Sequence, residues 1–183
     1  MRLEVVTFHI DGISPLLQNN PAAFIGKKED GTITSKPVYD DEQEAELRLY
    51  KLPDGSGYYH PAESFVKAAV AAVAGKKFGK QFATKMLKSA LFVSEPYCII
   101  LDDKGKLAKK YGIDRRGVVI GKARVLRCRP CWFPWSMTIA LELDTALVAP
   151  AQLREALSLA GRYPGIGDFR PEKAGGFGRF RVQ

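Results

Sequence analysis

The strictest constraint on this chain is the alternation over residues 136–144. Met137, Ile139, Leu141 and Leu143 interleave with Ser136, Thr138, Ala140, Glu142 and Asp144. Successive side chains of a strand point to opposite faces, so this segment is a strand with one apolar face and one wet face. Such half-buried patterning belongs to antiparallel sheets. The rest of the chain has to supply neighbouring strands and a layer over the apolar face.

Other segments supply both. Arg2 to Ile10 is rich in Val, Phe and Ile and reads as a strand that ends at Asp11-Gly12. Residues 14–41 show little periodicity and read as loop or a lightly structured insertion, while Glu42 to Leu52 admits a short strand or a helix. Phe65, Val66, Ala69, Val70, Ala72 and Val73 follow a helical spacing that starts near Glu63 or Ser64 and stops at Gly75. A second helical face holds Phe82, Met86, Leu87, Ala90 and Leu91. Tyr97 to Leu101 and Val118 to Cys128 read as strands, with Cys131-Trp132-Phe133-Pro134-Trp135 as the hairpin end. Pro150 opens a helix with Leu153, Ala156, Leu157 and Ala160 on its apolar side, and Gly161 is its expected stop. Phe177 to Val182 is a last strand.

This order predicts an α+β fold: a ferredoxin-like βαββαβ (RRM-like) antiparallel sheet with insertions and a C-terminal glycine-rich loop. At 183 residues the chain suits one domain, 1–183, with insertions about 11–61 and 78–116. No apolar stretch is long enough to span a bilayer, and the N-terminus lacks a signal-peptide layout. The expectation is therefore a cytoplasmic protein without a membrane partner. Cys98, Cys128 and Cys131 are an odd number of thiols, and Cys128-x-x-Cys131 lacks a second pair at zinc spacing. Reduced thiols, with no metal and no cofactor, are expected.

Charge is segregated along the chain. The net +8 hides a segment from Glu29 to Glu63 with nine acidic and three basic residues. Ser64 to Ser94 carries six lysines and no acid, and Lys104 to Phe133 carries ten basic residues against Asp114. A surplus of this size suits an anionic partner, most commonly nucleic acid, with the acidic segment kept away from the basic face or docked on a neighbour.

The C-terminal run has glycines at 161, 165, 167, 175, 176 and 178, with Arg170, Lys173, Arg179 and Arg181 among them. Glycine permits positive φ and close backbone approach, so such a loop can present N–H groups to phosphates. Phe169, Phe177 and Phe180 either pack beneath it or stack on bases. Gly165-x-Gly167 is not a dinucleotide motif, because the run follows a helix and lacks the third glycine. Candidate RNA contacts are Lys67, Lys76, Lys77, Lys80, Arg115, Arg116, Arg127, Arg129, Trp132, Gly165, Gly167, Arg170, Lys173, Gly176, Gly178 and Arg179. Arg124 alternates to the opposite face from Arg127 and Arg129, which implies a bulge near Leu126 or contacts on both faces. Trp132 and Trp135 either stack on bases or lie buried.

The run Gly165-Ile-Gly167-Asp-Phe-Arg170…Gly175-Gly-Phe-Gly178-Arg-Phe is similar to the signature loop of the RAMP superfamily, the ferredoxin-like RNA-binding proteins of CRISPR effector complexes. Ile13-Ser-Pro-Leu-Leu17 and Tyr58-Tyr-His-Pro-Ala-Glu-Ser-Phe65 also resemble that family. The resemblance implies a non-catalytic, backbone-type subunit. Repeated copies would oligomerise along a single-stranded guide RNA and present it to a complementary RNA or DNA target.

Two other classes stay open. In the first, His60 is the general acid or base of a guide-processing endoribonuclease. His9, the other histidine, reads as a sheet residue, and Asp40-Asp41 either ligates a metal or cuts RNA, or belongs to a solvated acidic face. Asp168 is expected to pair with Arg170 or Arg179, or to cap a turn. In the second class, a structural or inhibitor protein binds other proteins through the acidic segment.

Overall fold

The computed structural model describes residues 2–24, 40–120 and 123–183. The elements run β1 (Leu3–Gly12), β2 (Leu16–Leu17), α1 (Asp41–Leu47), β3 (Tyr59–Pro61), α2 (Glu63–Ala72), β4 (Lys77–Phe78), β5 (Gln81–Phe82) and α3 (Ala83–Ala90). They continue with β6 (Leu91–Val93), β7 (Tyr97–Ile99), β8 (Gly112–Ile120), β9 (Ala123–Trp132), β10 (Ser136–Asp144), α4 (Pro150–Arg162) and β11 (Phe180–Val182). The loop expected over 14–41 lies partly outside the described residues, as does the side chain of Arg124.

The alternating segment is β10, and it is central. It pairs antiparallel with β1 from Leu3↔Asp144 to Asp11↔Ser136, and with β6 on its other side. The sheet order is β11-β1-β10-β6, every neighbour antiparallel. Phe8, Ile10, Met137, Ile139, Leu141 and Leu143 form the buried face. Over them pack Phe65 and Ala69 of α2 and Leu153, Ala156, Leu157 and Ala160 of α4. The opposite face of β1 presents Val5, Thr7 and His9 to solvent. The architecture is α+β with antiparallel sheets and is consistent with a ferredoxin-like fold.

The helices follow local rules. Asp40 caps α1, its carboxylate accepting from the Glu42 and Gln43 N–H groups at 2.8 and 3.1 Å. Such a cap is worth about 1 kcal/mol. Pro150 starts α4, and the Gln152 side chain accepts from the Ala149 N–H at 2.9 Å. Gly161 is not the stop: α4 runs on to Arg162. Its glycine answers to a neighbour, because a Cβ there would overlap the Phe180 carbonyl of β11.

Three expectations are corrected. Val118–Cys128 is not one strand: its first residues end β8 at Ile120, and the rest from Ala123 belong to β9, which pairs back on β8. β8 pairs with β9 from Gly112↔Cys131 to Ile120↔Ala123 without a break in register, which removes the bulge near Leu126 as one of the two readings of the arginine alternation. Residues 131–135 are therefore not the hairpin end: Cys131 and Trp132 finish β9, and 133–135 link it to β10 at the opposite end. The hairpin joins β2 in its own sheet, with Leu16 opposite Trp132. Of the second helical face, Phe82 is 58% exposed, with the Lys77 ammonium 5.3 Å from its ring centroid.

The glycine-rich segment between α4 and β11 is held by the chain that follows β1. The Pro15 and Leu17 carbonyls accept from Gly178 and Asp168 N–H groups at 2.7 and 2.9 Å, and Ser14 Oγ accepts from Arg179 N–H at 2.9 Å. Gly178 has φ of +66°, and a Cβ on it would overlap the Ile166 carbonyl. Gly176 differs, with no heavy atom within 4 Å of its would-be Cβ and no positive φ. Gly178→Ala is therefore expected to cost ~2 kcal/mol or more, and Gly176→Ala less than ~0.5 kcal/mol, in urea unfolding. Equal losses in the two variants would refute this account of the loop.

Candidate nucleic-acid interface

β3 leads directly into α2, and the glycine-rich segment follows α4. Between α2 and that segment lies a cleft of about 790 Å³. One wall is a face of α2, with Glu63, Ser64, Lys67, Ala68 and Ala71. These recur at the spacing of helical neighbours, so they share a side. The facing wall is Gly165, Ile166, Gly167, Asp168, Arg170 and Glu172, with Asn19, Tyr50 and His60 at its end.

The cleft gathers several expected site residues. Lys67, Gly165, Gly167 and Arg170 line it. Lys67 is exposed and has no acid partner among the described residues. Arg170 is partly committed, donating to Glu172 Oε2 at 2.5 and 3.0 Å and to the Gly167 carbonyl at 3.0 Å. Glu63 and Asp168 add negative charge, so the cleft is amphoteric rather than a plain anion hole. Tyr50 is held neutral: burial, then Tyr59 and Glu63, raise its phenol pKa.

His60 forms part of this cleft but is itself buried. Both ring nitrogens lack a hydrogen-bond partner among the described residues. Tyr50 and Phe65 meet its ring edgewise, at 6.0 and 6.3 Å between centroids. Burial, and then the charge of Arg170, push its pKa down to about 3. A general acid has to carry its proton near neutral pH and reach the leaving oxygen. In this conformation His60 is neutral and covered.

Four hairpin arginines, Arg115, Arg116, Arg127 and Arg129, are paired with acids of the chain. Arg115 meets Asp41 at 2.9 Å, Arg116 meets Asp114 at 2.5 Å, and Arg127 meets Glu44 at 3.6 Å. Arg129 is buried, 2.9 Å from Asp168 and 3.8 Å from Asp114. Its Nε and Nη1 make no hydrogen bond among the described residues, so these two contacts are coulombic. Asp168 thus pairs with Arg129, not with Arg170 or Arg179, and also accepts from Asn19 Nδ2 at 3.1 Å. The Arg116 guanidinium lies 4.9 and 4.8 Å from the Phe169 and Phe177 ring centroids, occupying two rings that were candidates for base stacking.

α1 is the acidic counterpart. Its Glu44 reaches Arg48 at 2.5 Å and the Cys128 N–H at 3.2 Å, and Arg48 Nε donates to the Cys128 carbonyl at 3.1 Å. The Cys128 thiol donates to Asp41 at 3.2 Å, and burial followed by that carboxylate pushes its pKa up to about 12. Asp40 is accordingly an exposed helix cap, and Asp41 a hairpin contact. Trp132 and Trp135 are both 2% exposed, and Trp135 donates to the Ser14 carbonyl at 2.9 Å, so neither offers a face to a base. Lys76 meets Glu155 at 3.2 Å, while Lys77, Lys80, Lys173, Gly176 and Arg179 are exposed outside the cleft. Gly178 is buried beneath it.

The sequence reading missed Asn19, Tyr50 and Glu63 as cleft residues. For Glu63 the signal was present, since it shares a helical face with Lys67. Asn19 and Tyr50 arrive through tertiary packing alone. Among the described residues, no cluster of three or more His, Cys, Asp or Glu is placed to hold a metal, and no helix is long and apolar enough to cross a membrane.

The state of His60 sets a pH dependence. Unfolded, the imidazole titrates near 6.5; folded, near 3. Between those values the unfolded chain binds more protons, so folding stability falls as pH drops through that window. The Tm of the wild-type protein is expected to drop more steeply between pH 7 and 4 than that of His60→Leu. Parallel Tm profiles would show that His60 is not buried in its neutral form.

No protein-family profile matches the sequence, and no curated protein matches it. Among solved structures, Cmr6 from Pyrococcus furiosus is similar over 99% of this chain and 98% of its own, at 11% identity and a TM-score of 0.47. A product complex of Cas6 is similar over 97% of this chain and 51% of that one, at 15% identity and a TM-score of 0.28. The chain thus spans about half the length of the Cas6 chain.

Proposed function

We propose that this chain is a non-catalytic RNA-binding subunit of the RAMP type, which coats a single-stranded guide RNA in the cytoplasm as repeated copies. Sequence is read by pairing of the guide with a complementary RNA or DNA strand, and the protein holds the backbone. The observation that carries this reading is the cleft between α2 and the glycine-rich segment, with the unpaired ammonium of Lys67 on its wall. The sheet order β11-β1-β10-β6 supports a βαββαβ reading, in which α2 lies between the first and second strands, β1 and β6, and α4 between β10 and β11.

The distribution of free charge also favours nucleic acid. Since Arg115, Arg116, Arg127 and Arg129 each meet an acid of the chain, the cations without an acid partner among the described residues are mainly lysines, Lys67, Lys77 and Lys80 among them. Exposed lysines attract phosphates without reading sequence, as a guide-coating protein requires.

Binding to a ~30-nucleotide single-stranded RNA is expected to weaken steeply with salt, by about 0.7 in log–log slope per phosphate contacted. Lys67→Ala is expected to reduce that slope by about 0.7 and to lower affinity several-fold, with Tm unchanged because the side chain is exposed. Fluorescence anisotropy across a salt series checks both, and size-exclusion on RNA of increasing length checks repeated copies. RNA binding that is absent, or indifferent to salt, would reject the reading.

A further inference from the structure

A second cleft, of about 470 Å³, lies between residues 102–112 and the link from β9 to β10. Its lining includes Lys106, Lys109 and Lys110, the apolar Leu107 and Tyr111, and Phe133. Phe133 is 59% exposed, although Trp132 and Trp135 on either side of it are 2% exposed. A large ring held at the surface between two buried anchors presents a fixed aromatic face. The three lysines are exposed and have no acid partner among the described residues.

Two acids, Asp102 and Asp103, line the same cleft against the three lysines. Asp102 is turned inward on its own turn, accepting from the Lys104 and Lys106 N–H groups at 2.9 Å each. These bonds, that from Lys106 first, hold its carboxyl below its ordinary pKa. Asp103 alone is exposed at the rim.

We infer that this cleft is a second contact for single-stranded nucleic acid, in which a base stacks on Phe133 and the flanking phosphates meet Lys109 and Lys110. An exposed aromatic face beside a row of ammonium groups is the chemistry that binds single strands without sequence preference. A duplex hides its base faces and offers nothing to Phe133. An acidic peptide would use the lysines but gains less from the ring. The back wall adds one further feature: the buried indole N–H of Trp132 has no acceptor among the described residues. It is covered in the unliganded chain, so the contacts available without rearrangement are the Phe133 face and the lysines.

This inference rests on the RNA-binding reading above, and the two can fail separately. Phe133→Leu keeps bulk and removes the ring; it is expected to weaken binding to a ~30-nucleotide RNA by about tenfold. Phe133→Trp is expected to retain wild-type affinity or improve on it. Lys109→Gln with Lys110→Gln is expected to reduce the salt slope by about 1.4, two phosphates' worth. Ultraviolet crosslinking with peptide mapping is expected to place RNA on the peptide that contains Phe133. If the wild-type protein binds RNA but these variants keep its affinity and slope, the second cleft is rejected and the first stands. If the wild-type protein does not bind RNA at all, both fall. Binding of a poly-glutamate peptide that is lost with the lysines, while RNA binding is unaffected, would also overturn the inference.

Discussion

The structure depends on a short stretch of backbone pairing. Residues 13–17, just past the first strand, are hydrogen-bonded to the glycine-rich segment just ahead of the last one: Ile13 and Ser14 to Arg179, Pro15 to Gly178, and Leu17 to Asp168. Backbone groups that leave the solvent have to be paired, and here two irregular segments satisfy each other. The same stretch contains β2, which pairs with β9 and so fastens the long hairpin to the rest of the molecule. Leu16 and Leu17 are fully buried at that junction. Sheet, cleft and hairpin are all registered from this one seam.

The seam changes what the glycines mean. Glycine-rich loops suggest backbone N–H groups offered to an anion. In this one, the N–H groups of residues 165, 166, 168, 175, 177 and 178 are taken by carbonyls of the chain itself. Gly161 and Gly178 are there because another strand or loop passes too close for a Cβ. The loop is chiefly a packing device that shapes one wall of a cleft, and ligand charge has to come from side chains.

Opposed charge in the sequence is resolved inside the fold. The acidic helix α1 docks on the basic hairpin, and Glu44, with a 12% exposed side chain, sits between Arg48 and Arg127. Ion pairs this sheltered are valuable chiefly because removing one partner strands the other. Cations that the sequence offers for nucleic acid are thereby spent on tertiary contacts. Those left over among the described residues are mainly lysines: Lys67 on α2, Lys77 and Lys80 around the turn between β4 and β5, Lys85 and Lys88 on α3, and the 104–110 segment.

Elements whose signals are local are legible in the amino-acid sequence. The period-two alternation of β10, the helical faces of α2 and α4, and Pro150 at a helix start each depend only on near neighbours, so they were readable. The βαββαβ expectation came from their order. What the sequence could not decide was pairing at a distance. The apolar run around 118–128 looked like one strand, and only the register of Gly112–Trp132 shows it turning back on itself. Arg129 and Arg116 looked like ligand contacts because their partners, Asp168 and Asp114 with the Phe169 and Phe177 rings, are matched by shape and not by spacing. Likewise, Phe133 is exposed and Trp132 buried although they are adjacent, because burial follows from which layer passes overhead. Local propensity fixes what each segment becomes; tertiary packing decides which charges, rings and clefts remain for a partner.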